Sequence, residues 1–156
     1  MAETQAQAEP KLLIPALGPL YKALEPYTWP LIRVTAGLML MPHGYMKLFA
    51  GQLTGTTAFF AKTGLEPAYA LALYIACLEF FGGLMLAFGL FTRVVAVLVA
   101  GFMAVAVVQV HMPNGFFWFA KGGGFEYPLF WGLVCIALAI RGGGPLSLDA
   151  KIGREV

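Results

Sequence analysis

Four apolar stretches divide this chain, at residues 30–50, 67–90, 93–112 and 128–141, with glycine, proline and polar residues between them. A helix rises about 1.5 Å per residue, so a run of roughly 20 apolar residues crosses the hydrocarbon core of a bilayer. The pattern predicts an all-α integral membrane protein, a four-helix bundle with short connections. Pro30 suits the first turn of span one, where its missing N–H is not needed. Pro42, inside that span, is expected to kink it and free backbone carbonyls near His43. Gly89 and Thr92 read as a helix stop and the next N-cap, making spans two and three a tight hairpin. The fourth run is short for a bilayer and would stand untilted or lean on the aromatic loop before it.

The remaining segments are polar or broken. Residues 1–10, MAETQAQAEP, predict no ordered element and lack the layout of a secretory signal. Residues 11–30 contain Pro15, Pro19, Pro26 and Pro30, which argues against a spanning helix. A short interfacial segment anchored by Tyr21, Tyr27 and Trp29 is expected there. Residues 51–66 read as a polar loop, and residues 113–127, PNGFFWFAKGGGFEY, as a loop lying in the interface. The organisation is therefore an N-terminal segment at 1–29, a membrane domain at 30–142 and a tail at 143–156.

Composition agrees with this division. The chain is 60% hydrophobic and 12% charged, against roughly 25% charged in soluble domains, so it cannot cover a water-facing surface. A net charge of +2, scattered along the chain, excludes a nucleic-acid partner. Cys77 and Cys135 fall within apolar runs and suggest small core residues rather than a disulfide framework. With four spans, one side holds seven Lys and Arg (Lys11, Lys22, Arg33, Arg93, Arg141, Lys151, Arg154) and the other three (Lys47, Lys62, Lys121). The positive-inside rule then puts both termini in the cytoplasm, in a cell inner membrane.

One carboxylate changes the picture. Glu79 lies about 16 Å along span two, near the bilayer centre, where an ionised group costs at least ~2.5–3.5 kcal/mol. Something in the bundle must answer it. His43 and Lys47 stand one turn apart on span one and share a face. Gln109 and His111 close span three, and Glu126 opens span four, all in the outer half. On the opposite side Arg33, Arg93 and Asp149 form a second, smaller cluster, with Asp149 expected to cap both arginines.

This set suits proton-coupled electron transfer with a lipid-soluble quinone. Such a carrier needs an apolar slot, donors to polarise its carbonyls and groups that exchange protons. Glu79, His43 and Lys47 are the candidate catalytic groups, with histidine a side chain suited to proton exchange. His43, His111, Gln109, Glu126 and Trp118 are the candidate binding groups, with Phe116, Phe117, Trp118 and Phe119 as walls. Plainer readings stand beside these. Glu79 also fits a structural pair with Lys47 or His43, Lys47 also fits a snorkelling side chain, and the aromatic run also fits an interfacial belt. Two histidines on different helices are haem or metal ligands in some proteins, but no ligand-spacing motif accompanies them and no metal is expected.

The ordered motifs resemble a family. Arg33–Lys47 carries R-x3-G ahead of H-G-x2-K, Glu79–Gly83 carries E-x2-G-G, and Gly89–Arg93 reads G-L-x-T-R. The Phe125-Glu126 pair and the glycine-led stretch Gly144–Asp149 follow. In order and spacing these resemble the DoxX family of small four-helix membrane proteins over about residues 30–150. That family includes subunits of the DoxD and DoxA type of a thiosulfate:quinone oxidoreductase, so the resemblance implies a membrane redox component. Its histidine, lysine and glutamate correspond to His43, Lys47 and Glu79. The expected function is a small subunit of a quinone-linked oxidoreductase system. The alternative is a non-catalytic membrane subunit that scaffolds or anchors a larger complex. The expected partners are the lipid bilayer and either other subunits of a membrane complex or a second copy of the chain.

Overall fold

The computed structural model describes residues 11–155, and the expectation for residues 1–10 lies outside them. After a 3-10 turn at Pro15–Leu17 come six helices: α1 Gly18–Leu48, α2 Leu53–Lys62, α3 Ala68–Phe88, α4 Thr92–Asn114, α5 Glu126–Arg141 and α6 Leu148–Ile152. Among the described residues there is no strand. Two helices, α3 and α4, are long and apolar enough to cross a membrane. Helix α5 has 16 residues, and the apolar face of α1 is diluted by Lys22, Glu25, Arg33 and Lys47.

Helix α1 starts earlier than the prolines suggested. It runs 31 residues without interruption through Pro26, Pro30 and Pro42. Each proline removes only its own N–H bond to the carbonyl four residues back, and the helix continues where neighbouring bonds remain. Its first turns, residues 19–28, are exposed. The supposed loop at 51–66 also contains a helix. In α2 the hydroxyls of Thr56 and Thr57 donate back to the carbonyls of Gln52 (3.0 Å) and Leu53 (2.9 Å). Phe60 anchors it against Ala68, Ala72 and Ile75 of α3.

The main core draws on four helices: Leu40 of α1, Leu78 and Leu86 of α3, Val99 of α4, and Cys135 and Leu138 of α5. Large apolar side chains such as Leu38, Phe88, Val97, Leu133 and Ile140 point outward. An apolar outer surface of that extent fits lipid rather than water.

Small residues bring α1 and α3 together. A Cβ placed on Gly37 would overlap backbone atoms of Gly83 and Ala87, and one on Gly44 would overlap Ala76 and Phe80. Backbone thus meets backbone at two points seven residues apart, the small-residue packing expected where lipid offers no hydrophobic drive. Helix α3 also contains a π-turn at Leu78–Gly82, an inserted residue that changes which stripe of the helix faces inward. Before the π-turn, Ala72 and Ile75 serve the α2 cluster; at and beyond it, Leu78 and Leu86 serve the main core.

At the α3–α4 turn, Gly89 closes α3 in the left-handed conformation at φ +70°. Thr92 is the first residue of α4 and not its cap, because Phe91 occupies the cap position at φ +48°. The capping carboxylate comes from far along the chain. Asp149 accepts from the backbone N–H groups of Phe91 (2.7 Å) and Thr92 (2.9 Å) and from the Thr92 hydroxyl (2.7 Å). Asp149 therefore does not bridge Arg33 and Arg93 as the sequence led us to expect. Arg93 pairs with Glu155 at 2.9 Å and donates to the carbonyls that end α5. Arg33, 2% exposed, donates to the Leu146 carbonyl at 2.9 Å. The backbone groups at a helix start are better satisfied by a short carboxylate than the arginines are.

Candidate functional site

Glu79 sits in the first turn of the π segment and is 5% exposed. Its Oε2 accepts from Lys47 Nζ at 2.5 Å. The close contact at Gly44 accounts for this meeting: Glu79 lies between Ala76 and Phe80, which Gly44 touches, and Lys47, one turn further along α1, reaches back to it. Lys47 Nζ also reaches the His43 carbonyl at 3.4 Å. The other carboxylate oxygen, Oε1, makes no hydrogen bond among the described residues.

Glu79 also lines a cleft of about 520 Å³ between α1, α3, α4 and α5. His43 enters it from α1 and His111 from α4, while Trp118, Tyr127 and Trp131 form an aromatic side. Met39, Leu40, Phe102 and Met103 supply aliphatic and aromatic wall. This is the usual size and make-up of a small-molecule site, an apolar cavity with few convergent polar groups. Both wide turns contribute to it, Glu79 from the first and Ala106 and His111 from the second at Ala106–His111. Such turns often mark functional positions because they re-aim side chains out of the regular helix.

The loop after α4 fixes His111. The ring Nδ1 lies 2.9 Å from the Gly123 carbonyl oxygen, which can only accept. Nδ1 therefore carries a hydrogen, and in the neutral ring Nε2 is left as a bare acceptor. Asn114 holds the same loop by donating to the carbonyls of Gly122 (3.1 Å) and Gly123 (3.0 Å). The loop folds back on itself, with the N–H of Phe125 donating to Gly115 and that of Glu126 to Phe116. Glu126 accepts from the Trp118 N–H at 3.1 Å, and the Trp118 ring stacks on Tyr127.

The structure thus brings together four of the residues singled out from the sequence: His43, Glu79, His111 and Trp118. Lys47 stands behind Glu79 and outside the cleft wall. Gln109 is exposed and outside it, and Glu126 meets the cleft only through Trp118. All four residues of the aromatic run are exposed, and of them Trp118 alone lines the cleft. Sequence reasoning missed Asn114, Tyr127, Trp131 and Cys135, which the fold delivers from α4 and α5. The one signal for Asn114 was its place before a glycine-rich loop. Among the described residues no three His, Cys, Asp or Glu side chains gather as a metal site.

A family model for DoxX matches residues 28–112, which includes His43, Lys47, Glu79, the α3–α4 turn and His111. The chain belongs to the DoxX family. A DoxX relative from Bacillus subtilis (strain 168), named "Putative oxidoreductase CatD", is 39% identical over 119 residues, covering 76% of this chain and 82% of that protein. No solved structure matches the chain. It is thus a DoxX-family membrane protein with a relative named as an oxidoreductase.

Proposed function

We propose that this DoxX protein is a small subunit of a quinone-linked membrane oxidoreductase, and that its cleft receives the quinone ring. In this reading α1, α3, α4 and α5 form a four-helix transmembrane bundle with both termini on the cytoplasmic side. The observation that carries the reading is the cleft itself. Its walls are apolar and aromatic, and its polar groups, Glu79, His43 and His111, arrive from three helices. Those donor and acceptor groups fit a ring with two carbonyls, and the volume of about 520 Å³ fits a ring without crowding. A bound quinone supplies the redox chemistry. This chain's groups hold the ring between Trp118 and Trp131 and exchange protons at Glu79 and His111.

The scaffold reading has one observation in its favour, the Lys47–Glu79 ion pair, which alone would explain a carboxylate among the helices. It leaves the open cleft without a purpose. In the carrier reading Lys47 holds one carboxylate oxygen and the other faces the ligand.

Tryptophan fluorescence separates the two. Two of the three tryptophans, Trp118 and Trp131, line the cleft. Titrating the protein in nanodiscs with a tail-less benzoquinone should quench them saturably, and His111→Ala should weaken the quenching roughly tenfold. A folded protein with no saturable quenching would leave the scaffold as the better reading.

A further inference from the structure

A second cleft, of about 470 Å³, lies on the other side of the α3–α4 seam. Tyr74 and Ile75 of α3, Leu98 and Gly101 of α4, and Phe60 of α2 line it, and its walls are almost wholly apolar. Phe102 lines both clefts. One side chain therefore stands between the polar cleft and the apolar one.

We propose that the two clefts are one site for a tailed carrier. The ring lies against Glu79 and His111, and an isoprenoid or alkyl tail runs past Phe102, between α3 and α4, into the apolar groove. The inference rests on the carrier reading of the first cleft and adds the substrate class, a quinone with a long hydrocarbon tail. Three features support it. Phe102 is a wall of both clefts, so the groove borders the ring cleft directly. Its lining offers nothing to a polar ligand, and the hydroxyl of Tyr74 is the only side-chain hydrogen-bonding group among its residues. Gly101 is exposed at the groove, and an added Cβ there would meet no atom within 4 Å, so the groove is open to a chain arriving from the lipid side.

The empty space at Gly101 also supplies the test. Gly101→Phe fills the groove without touching the ring cleft, and Leu98→Phe fills it from the next turn, adding no tryptophan, should the first variant fold poorly. Both are compared with the parent protein in nanodiscs of one lipid composition. The probes are a tail-less benzoquinone and the same ring with a decyl chain, followed by tryptophan quenching. The parent should bind the decyl compound at least ~tenfold tighter than the bare ring. The groove-filling variants should lose that gain and keep the bare-ring affinity. Because partition into lipid is the same for parent and variants, a loss of the gain reports the groove itself. A gain that survives both substitutions, or no gain in the parent, overturns the tail site and leaves the ring site standing. Failure of the bare ring to bind the parent overturns the carrier reading and this inference with it.

Discussion

Lys47 Nζ meets Glu79 Oε2 at 2.5 Å beside the point where Gly44 lets α1 touch α3. The pair and the backbone contact are one construction. Removing one partner of a buried pair leaves a charge uncompensated, which costs about 3–5 kcal/mol. Lys47→Met and Glu79→Gln should each lower yield and thermal stability in detergent. The double variant should recover most of the loss, since no stranded charge remains. Losses that simply add would show that the two side chains stabilise the protein separately.

The helix contact makes its own prediction. Gly44→Ala puts a methyl group into the backbone of Ala76 and Phe80 and should cost about 1–3 kcal/mol as overpacking. Gly55→Ala is the control. It lies in α2, where an added Cβ meets nothing within 4 Å. There the better helix former should be neutral or stabilising by up to ~1 kcal/mol. Equal effects at the two glycines would mean that α1 and α3 are not held at backbone distance.

The contrast between these elements shows what could be read from the chain. The apolar periods located α3, α4 and α5 to within a residue or two, because each is bounded by glycine or proline and held by apolar burial. Glu79 announced itself by its cost, and Lys47 by helical spacing. Helix α2 was illegible because its glycine and threonines have weak intrinsic propensity, and it is the packing of Phe60 and Leu53 against α3 that anchors it. The start of α1 was hidden by prolines that a long helix tolerates. The Asp149 cap joins residues 57 positions apart, and no local pattern signals such a bond. Asn114 and Trp131 were invisible for the same reason: they matter through where the loop and α5 arrive.

The proposed topology can be read from outside the molecule. A reporter active only in the cytoplasm should give signal when fused at either terminus or in the α3–α4 turn, and none at Lys62 or Lys121. The Lys and Arg bias of seven to three underlies this orientation. Signal at Lys121 would break the four-span arrangement, since the loop holding His111 and Trp118 would then lie on the wrong side.

Asp149 offers a test at the opposite end. Its carboxylate satisfies two backbone N–H groups and a hydroxyl at the start of α4. Asp149→Ala should cost about 1–2 kcal/mol, the usual loss of a helix cap, and should speed protease cleavage of residues 143–155. Asp149→Asn keeps an accepting oxygen and should lie between. Cleavage unchanged in both would assign the docking of the tail to Arg33 and Trp29, which donate to the carbonyls of Leu146 and Gly142.

The last prediction concerns which face His111 shows the cleft. Because the Gly123 carbonyl accepts from Nδ1, the neutral ring must be the Nδ1–H tautomer, with Nε2 free to accept a proton or hydrogen bond. Nitrogen-15 spectra of histidine-labelled protein can see this, since the chain has two histidines and His43→Asn leaves one. The neutral form of His111 should show a protonated Nδ1 and an unprotonated Nε2. Asn114→Ala removes the second donor on the Gly123 oxygen and leaves that oxygen wholly to His111, so the tautomer should persist. His111→Ala instead removes a bond that ties the loop to α4, so the Trp118 amide should exchange faster with solvent. An Nε2–H tautomer would reverse the chemistry, giving the cleft a fixed donor in place of an acceptor. His43 and Glu79 would then be left as its only groups able to take a proton from a bound ring.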